Sequence, residues 1–203
     1  MTWQEFYGDF YSDFSETKKA VGIKDWEQRS KILSSWLNGM PKNIRILDCG
    51  CGCGTCGRML IEHGFKNVIG IDKDKKLLEY AKRAFECHEM DCQTLNFPDR
   101  YFDVLLGLNI MQYLPDTKAF FSEAKRVLKK DGMLILSAPN ETIFRRLLGK
   151  SVVEPDHLYH WNHNGFKAFL QRNGWAVLDI EPIGNVKSFL WCNTLMVRAK
   201  VVQ

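Results

Sequence analysis

The sequence predicts an α/β protein: a doubly wound sheet of seven strands, the last of them antiparallel, beneath an N-terminal helical cap. Three observations carry that expectation. From residue 44 onward, short apolar runs alternate with helical periodicity, the order that builds a parallel sheet with right-handed crossovers. The first run ends in a turn dense in glycine, Asp48-Cys49-Gly50-Cys51-Gly52-Cys53-Gly54. Two apolar segments close the chain, 175–181 and 190–202. Joined by a short connection, they are expected to pair antiparallel at the sheet edge.

The elements follow in order. Trp3, Phe6, Tyr7, Phe10, Tyr11 and Phe14 recur at the spacing of one helix face. A second amphipathic helix starts near Asp25, carries Trp26, Ile32, Leu33, Trp36 and Leu37 on its apolar side, and stops at Gly39-Met40-Pro41. Strands are expected at 44–48, 67–72, 87–91, 102–108 and 133–138. The unbroken apolar run 102–108 is the kind buried inside a parallel sheet. Helices fall between them: 56–63 closed by Gly64, 75–85, and one opened by Pro115-Asp116 that runs to Lys130. Beyond Pro139-Asn140 the pattern changes to a helix over 141–148, a loop over 150–162 and a helix over 165–173 stopped by Gly174. Residues 1–203 read as a single domain, divided into a cap (1–40), a core (41–140), an insertion (141–165) and a closing helix with its strand pair (166–203).

Composition narrows the class. A chain of 203 residues with 45% hydrophobic and 26% charged residues can bury a full core. Disordered, collagen-like and disulfide-dense classes are excluded. Lys and Arg exceed Asp and Glu by 28 to 24, a net +4, too mild a balance to favour a nucleic-acid partner. No apolar run approaches the roughly 18 residues that span a bilayer. The N-terminus is acidic and aromatic, unlike a signal peptide. Seven cysteines, four of them within 49–56, form no conventional disulfide framework, so reduced thiols and a cytoplasmic location are expected.

The glycine turn is the most informative stretch. Alternate glycines let a backbone bend sharply and approach a ligand at a helix N-terminus. Gly52-x-Gly54-x-x-Gly57 also satisfies the dinucleotide fingerprint, and Asp72 lies 20 residues after Gly52, where an acid would hold a ribose hydroxyl. A nicotinamide-dependent oxidoreductase is therefore open at this point. Asp48 argues against it, because a carboxylate there repels a pyrophosphate but suits an ammonium or sulfonium. The antiparallel tail is a second feature that a dinucleotide fold does not require.

Leu47-Asp48-x-Gly50-x-Gly52-x-Gly54 resembles motif I of the class I S-adenosylmethionine-dependent methyltransferases, a Rossmann-like family, and in particular its type 11, ubiquinone-type O-methyltransferase-like members. Gly70-Ile71-Asp72, Asp91-Cys92, Phe102-Asp103-Val104 with Leu108–Leu114, and Leu128–Leu134 resemble the later motifs in register, over about residues 20–200. The resemblance implies S-adenosyl-L-methionine as cofactor. It gives Asp72 the ribose hydroxyls, Lys73 a place along the adenine, Asp91 the adenine amino group and the Cys92 amide a ring nitrogen. Asp48, Gly50, Cys51, Gly52 and Gly54 line the methionine end, with Leu108 and Asn109 beside the amino acid moiety. Arg29 is similar to an arginine that pairs with the methionine carboxylate; an exposed helix arginine is the competing reading.

For the acceptor, the resemblance points to the cap and the 141–165 insertion, with Tyr7 and Tyr11 as candidates and His157 as general base. Gln112-Tyr113 departs from the Glu-His pair common in relatives, which removes one potential base. A small-molecule acceptor methylated on O or N is expected: a metabolite, glycan or lipid precursor. A non-catalytic S-adenosylmethionine-binding partner protein is the other alternative. Cys49, Cys51, Cys53 and Cys56 could suggest zinc, and His157, His160 and His163 a metal triad, but side chains alternate across a strand-to-helix turn and no metal is expected. Cys53 and Cys56 sit near a helix N-terminus, which lowers a thiol pKa. Alkylation that bound cofactor blocks is expected there.

Overall fold

In the computed structural model, residues 2–10, 16–149, 154–184, 188–190 and 192–202 are described. Seven strands form one sheet in the order β3-β2-β1-β4-β5-β7-β6. β1 (Arg45–Cys49) lies between β2 (Asn67–Asp72) and β4 (Phe102–Leu108), parallel to both. β3 (Glu86–Glu89) flanks β2 in parallel, and β5 (Leu128–Pro139) flanks β4 in parallel. β7 (Thr194–Val201) is antiparallel to β5 on one side and to β6 (Trp175–Ile183) on the other. The expected antiparallel last strand is present. It lies inside the sheet, however, and β6 takes the edge.

Alternation along the strands divides the core in two. Leu47, Leu105, Leu134 and Leu136 face one side, against Phe120, Phe121 and Ala124 of α5 (Thr117–Val127) and Phe166 and Leu170 of α7 (His163–Arg172). Ile46, Val104, Leu106 and Ile135 face the other, against Leu33 and Trp36 of α2 (Glu16–Trp36) and Met59 and Leu60 of α3 (Thr55–Glu62). The period-2 pattern of continuous apolar strands thus buries both faces.

Local chemistry sets the boundaries. Asp74 caps α4 (Lys75–Ala81) by accepting from the backbone N–H groups of Lys76 and Leu77, and Asp116 caps α5 in the same way. The helix expected to reach Lys130 ends at Val127, and β5 begins at once. Leu128 is extended and buried beside Phe102, while Lys129 reaches Asp103 at 2.7 Å. Burying Leu128 outweighs the helix preference of the lysines that follow it. α1 covers Trp3–Phe10, with Trp3 and Phe6 buried; Tyr11 and Phe14 lie outside the described residues. α2 starts earlier than expected, at Glu16. α6 (Ile143–Leu147) occupies part of the insertion. No described helix is long and apolar enough to cross a membrane.

Candidate active site

The carboxyl ends of β1, β2, β4 and β5 converge on one cleft. The backbone N–H groups of Gly50 and Cys51 both donate to the Ile71 carbonyl, at 2.8 and 3.0 Å, and bend the chain after β1 across the end of β2. Gly50 has φ +68, and a Cβ there would lie 2.2 Å from Ile110 Cγ2. Only glycine can make this turn.

The first cavity, about 310 Å³, is lined by Asp72, Lys73, Met90, Cys92 and Tyr113 among others. Asp72 ends β2. Its Oδ2 accepts from the Gly52 N–H at 2.8 Å and its Oδ1 from the Asp74 N–H at 2.9 Å. A carboxylate oxygen accepts more than one donor, so both retain capacity for a ligand. Lys73 Nζ lies 2.6 Å from Asp91 Oδ2. Burial pushes the Asp91 carboxyl upward, but hydrogen bonds from Lys73 and Gln93 outweigh it and hold the group below the usual carboxylate range. Asp91 thus sits behind Lys73 and does not line the cavity.

A second cavity of about 310 Å³ continues from the first across Gly50, Leu108 and Asn109, and is lined by Tyr7, Asp25, Asp48, Gly52 and Cys53. Asp48 is 1% exposed, and its Oδ2 has no hydrogen-bond partner. Desolvation first, and then the nearby Asp72 carboxylate, pushes its carboxyl up to about 7. Arg29 is no exposed helix arginine: it is 2% exposed, with Nε donating to Asp25 Oδ2 at 2.8 Å and Nη1 to Ser137 Oγ at 2.9 Å. Asn109, just past the end of β4, lies in the left-handed region at φ +57. Its N–H donates to both the Ser137 carbonyl and Oγ.

A third cavity of about 220 Å³ opens on the other side of Asn109, between Gln112, Tyr113, Glu154, His157 and Thr194. The Glu154 N–H donates to His157 Nδ1 at 3.2 Å, and His157 Nε2 lies 3.3 Å from the Tyr113 hydroxyl. Accepting at Nδ1 keeps the proton of the neutral ring on Nε2. Burial raises the Tyr113 phenol above its usual value; Asp156 and Glu154 add to this, and Gln112 works against it.

The structure corrects the cysteine expectation. All seven thiols are free and buried, Cys53 and Cys56 at 6% and 3% exposure. Desolvation drives both thiols up, beyond what the start of α3 could lower. Native protein is therefore expected to resist iodoacetamide with or without ligand, and all seven cysteines to react once it is unfolded. Mass spectrometry checks this; fast native alkylation at Cys53 would contradict it. Gly54 precedes α3 as its N-cap, at φ +94. Among the described residues His157, His160 and His163 do not converge; His157 groups instead with Glu154 and Asp156, possible ligand atoms within 4.8 Å of one another. Tyr7 reaches the second cavity, while Tyr11 is outside the described residues. Sequence reasoning missed Asp25 and Ser137, neither of which carries a motif signal.

Residues 47–136 match the methyltransferase domain family. The chain is 29% identical over 145 residues to the ubiquinone biosynthesis O-methyltransferase of Pelagibacter ubique, covering 68% of this chain and 57% of that protein. It is 30% identical over 170 residues to the 2-methyl-6-phytyl-1,4-hydroquinone methyltransferase of Synechocystis sp., covering 76% and 51%. The chain thus spans about half to three fifths of the length of these relatives. Among solved structures it is similar to an S-adenosylmethionine-dependent methyltransferase from Clostridium acetobutylicum, with TM-score 0.72 and 17% identity over 97% of this chain and 99% of that one. One from Archaeoglobus fulgidus aligns with TM-score 0.68 and 18% identity, over 86% and 93%. Motif order, family match and sheet order agree: residues 47–136 match a methyltransferase domain, set in the fold of the S-adenosylmethionine-dependent methyltransferases.

Proposed function

We propose that this protein transfers a methyl group from S-adenosylmethionine to an oxygen or nitrogen of a small-molecule acceptor: a metabolite, glycan or lipid precursor. The observation that carries the proposal is the meeting of three cavities at Asn109, two forming a continuous cleft and the third opening beside it. The relatives named for ubiquinone biosynthesis and for a hydroquinone support a small acceptor. The free cysteines accord with a reducing, cytoplasmic setting.

The donor set fits this cofactor. Asp72 would hold the ribose in the first cavity, beside Lys73 and Cys92, with Asp91 behind Lys73. The unpartnered Asp48 carboxyl suits the amino group at the other end, where Gly50, Cys51, Gly52, Leu108 and Asn109 form the wall. Gly54 shapes the turn, and Arg29 brings positive charge behind the wall. When bound, the cofactor supplies an electrophilic methyl group on a positively charged sulfur. The residues of the chain contribute position and dryness, which do most to speed a displacement of this kind.

His157 is the proposed general base, in the cavity given to the acceptor. To take a proton on Nε2, directly or through the Tyr113 hydroxyl, it must carry its own on Nδ1 and give up the bond from Glu154. The test is incubation with labelled S-adenosylmethionine and a panel of hydroquinones, phenols and amines. Labelled product with equimolar S-adenosylhomocysteine is expected. Binding of S-adenosylhomocysteine without product from any acceptor would favour a non-catalytic binding protein, and binding of NAD alone would favour the oxidoreductase. For a hydroxyl acceptor, His157→Ala is expected to lower kcat by roughly a hundredfold. An unchanged kcat would leave His157 as an anchor of its loop.

A further inference from the structure

The Ser137 hydroxyl has all its hydrogen-bonding positions filled, and this sets the sense of its neighbours. Ser137 lies in β5 with no exposed surface. Its Oγ accepts from Arg29 Nη1 at 2.9 Å and from the Asn109 backbone N–H at 3.0 Å. Two bonds exhaust the acceptor capacity of a hydroxyl, so its own hydrogen must be donated. The remaining neighbour is the Asn109 side chain at 2.9 Å, met through Oδ1. A flipped amide would set an N–H donor against a hydroxyl hydrogen with no lone pair between them. Both Nδ2 hydrogens of Asn109 are therefore turned away from Ser137.

Those hydrogens belong to a residue that walls the second cavity. With Asp72 assigning the first cavity to the nucleoside, the second receives the amino-acid end. Its acids Asp25 and Asp48 suit an ammonium, but a carboxylate needs donors. Arg29 directs Nε and Nη1 to Asp25 and Ser137 and does not itself line the cavity. Its charge instead polarises the Ser137 hydroxyl, and the chain of bonds strengthens along its length.

We infer that Ser137 is a positioning residue: coupled to Arg29, it holds the Asn109 amide with its N–H groups presented to the carboxylate of the bound cofactor. This deepens the methyl-transfer reading and rests on it. The test is calorimetric titration with S-adenosylhomocysteine and with its decarboxylated analogue, which differs only in lacking that carboxylate. The readout is the ratio of the two affinities, which a merely structural defect would leave unchanged. The intact protein is expected to prefer S-adenosylhomocysteine. Ser137→Ala should shrink the preference about tenfold, the size of one hydrogen bond to a charged group. Asn109→Asp, at an exposed position that tolerates change, should shrink it further by setting a carboxylate against a carboxylate. A ratio unchanged in Ser137→Ala, whatever happens to either affinity alone, overturns the assignment. If Ser137→Ala does not fold, a ratio unchanged in Asn109→Asp overturns it equally. Failure of the intact protein to bind S-adenosylhomocysteine at all would instead overturn the methyl-transfer reading.

Discussion

Asp48→Asn yields a ligand-free protein that is more stable well above pH 7 and a weaker binder of S-adenosylhomocysteine. The opposite signs share one cause. Burial beside Asp72 lifts the Asp48 carboxyl from 3.8 to about 7 in the folded protein. Between those values the native state holds a proton that the unfolded chain has released. Stability from this group is therefore complete below the unfolded value and is lost as pH rises through about 7. At 1.36 kcal/mol per pH unit the loss is about 4 kcal/mol. The charged neighbour that sets this field is Asp72. Asparagine keeps the shape without the charge, so the slope of stability against pH should flatten and the protein gain stability in alkali. The same change removes the anionic partner proposed for the cofactor's ammonium, and affinity should fall about tenfold or more. Chemical denaturation across pH 5 to 9 and calorimetry read the two effects. A slope shared by the two proteins would mean that Asp48 does not titrate in this range.

Asp72→Ala has the larger effect on binding. On the proposed ribose role, two carboxylate oxygens facing two hydroxyls amount to two charge-assisted bonds, so their removal should weaken S-adenosylhomocysteine at least a hundredfold. It also frees the N–H groups of Gly52 and Asp74, which Asp72 now accepts from. That should cost about 1–2 kcal/mol of stability. Asp72→Asn keeps one acceptor and should fall between the two. Calorimetry and thermal unfolding separate the loss of affinity from the loss of stability. An affinity within a few-fold of the intact protein would remove Asp72 from the nucleoside site.

Much of this was legible in the residues because the signals were local. Apolar runs ending at acids marked β1 and β2, and a bend that demands glycine placed Asp48 and Asp72 at one cleft. What escaped depends on distance. The 175–181 and 190–202 segments signalled an antiparallel pair, but nothing in them says that the later strand enters beside β5 while the earlier one stays outside. Leu128 looked like the end of a helix because two lysines and an aspartate follow it; its burial beside Phe102 is set 26 residues away. Nothing in the 133–138 run singles out Ser137; its bond to Arg29 appears only when α2 comes against β5. The cysteines misled because helix-end position is local and desolvation is not. The engagement of Asp91 by Lys73 had no sequence signature.

The position of β7 also has a kinetic meaning. Among the described residues β6 has β7 as its only strand neighbour, and β7 has β5 on its other side. Residues 175–183 are complete in the chain before their partner at 194–201 and cannot join the sheet until it arrives. The wedge must enter a gap between two earlier strands, closing a loop of some 55 residues back to β5, and such distant pairings form slowly. As the chain emerges from synthesis, the half of the sheet that holds Asp48 and Asp72 can assemble early. β7, made later, then secures Ser137, and with it the wall beyond the cleft.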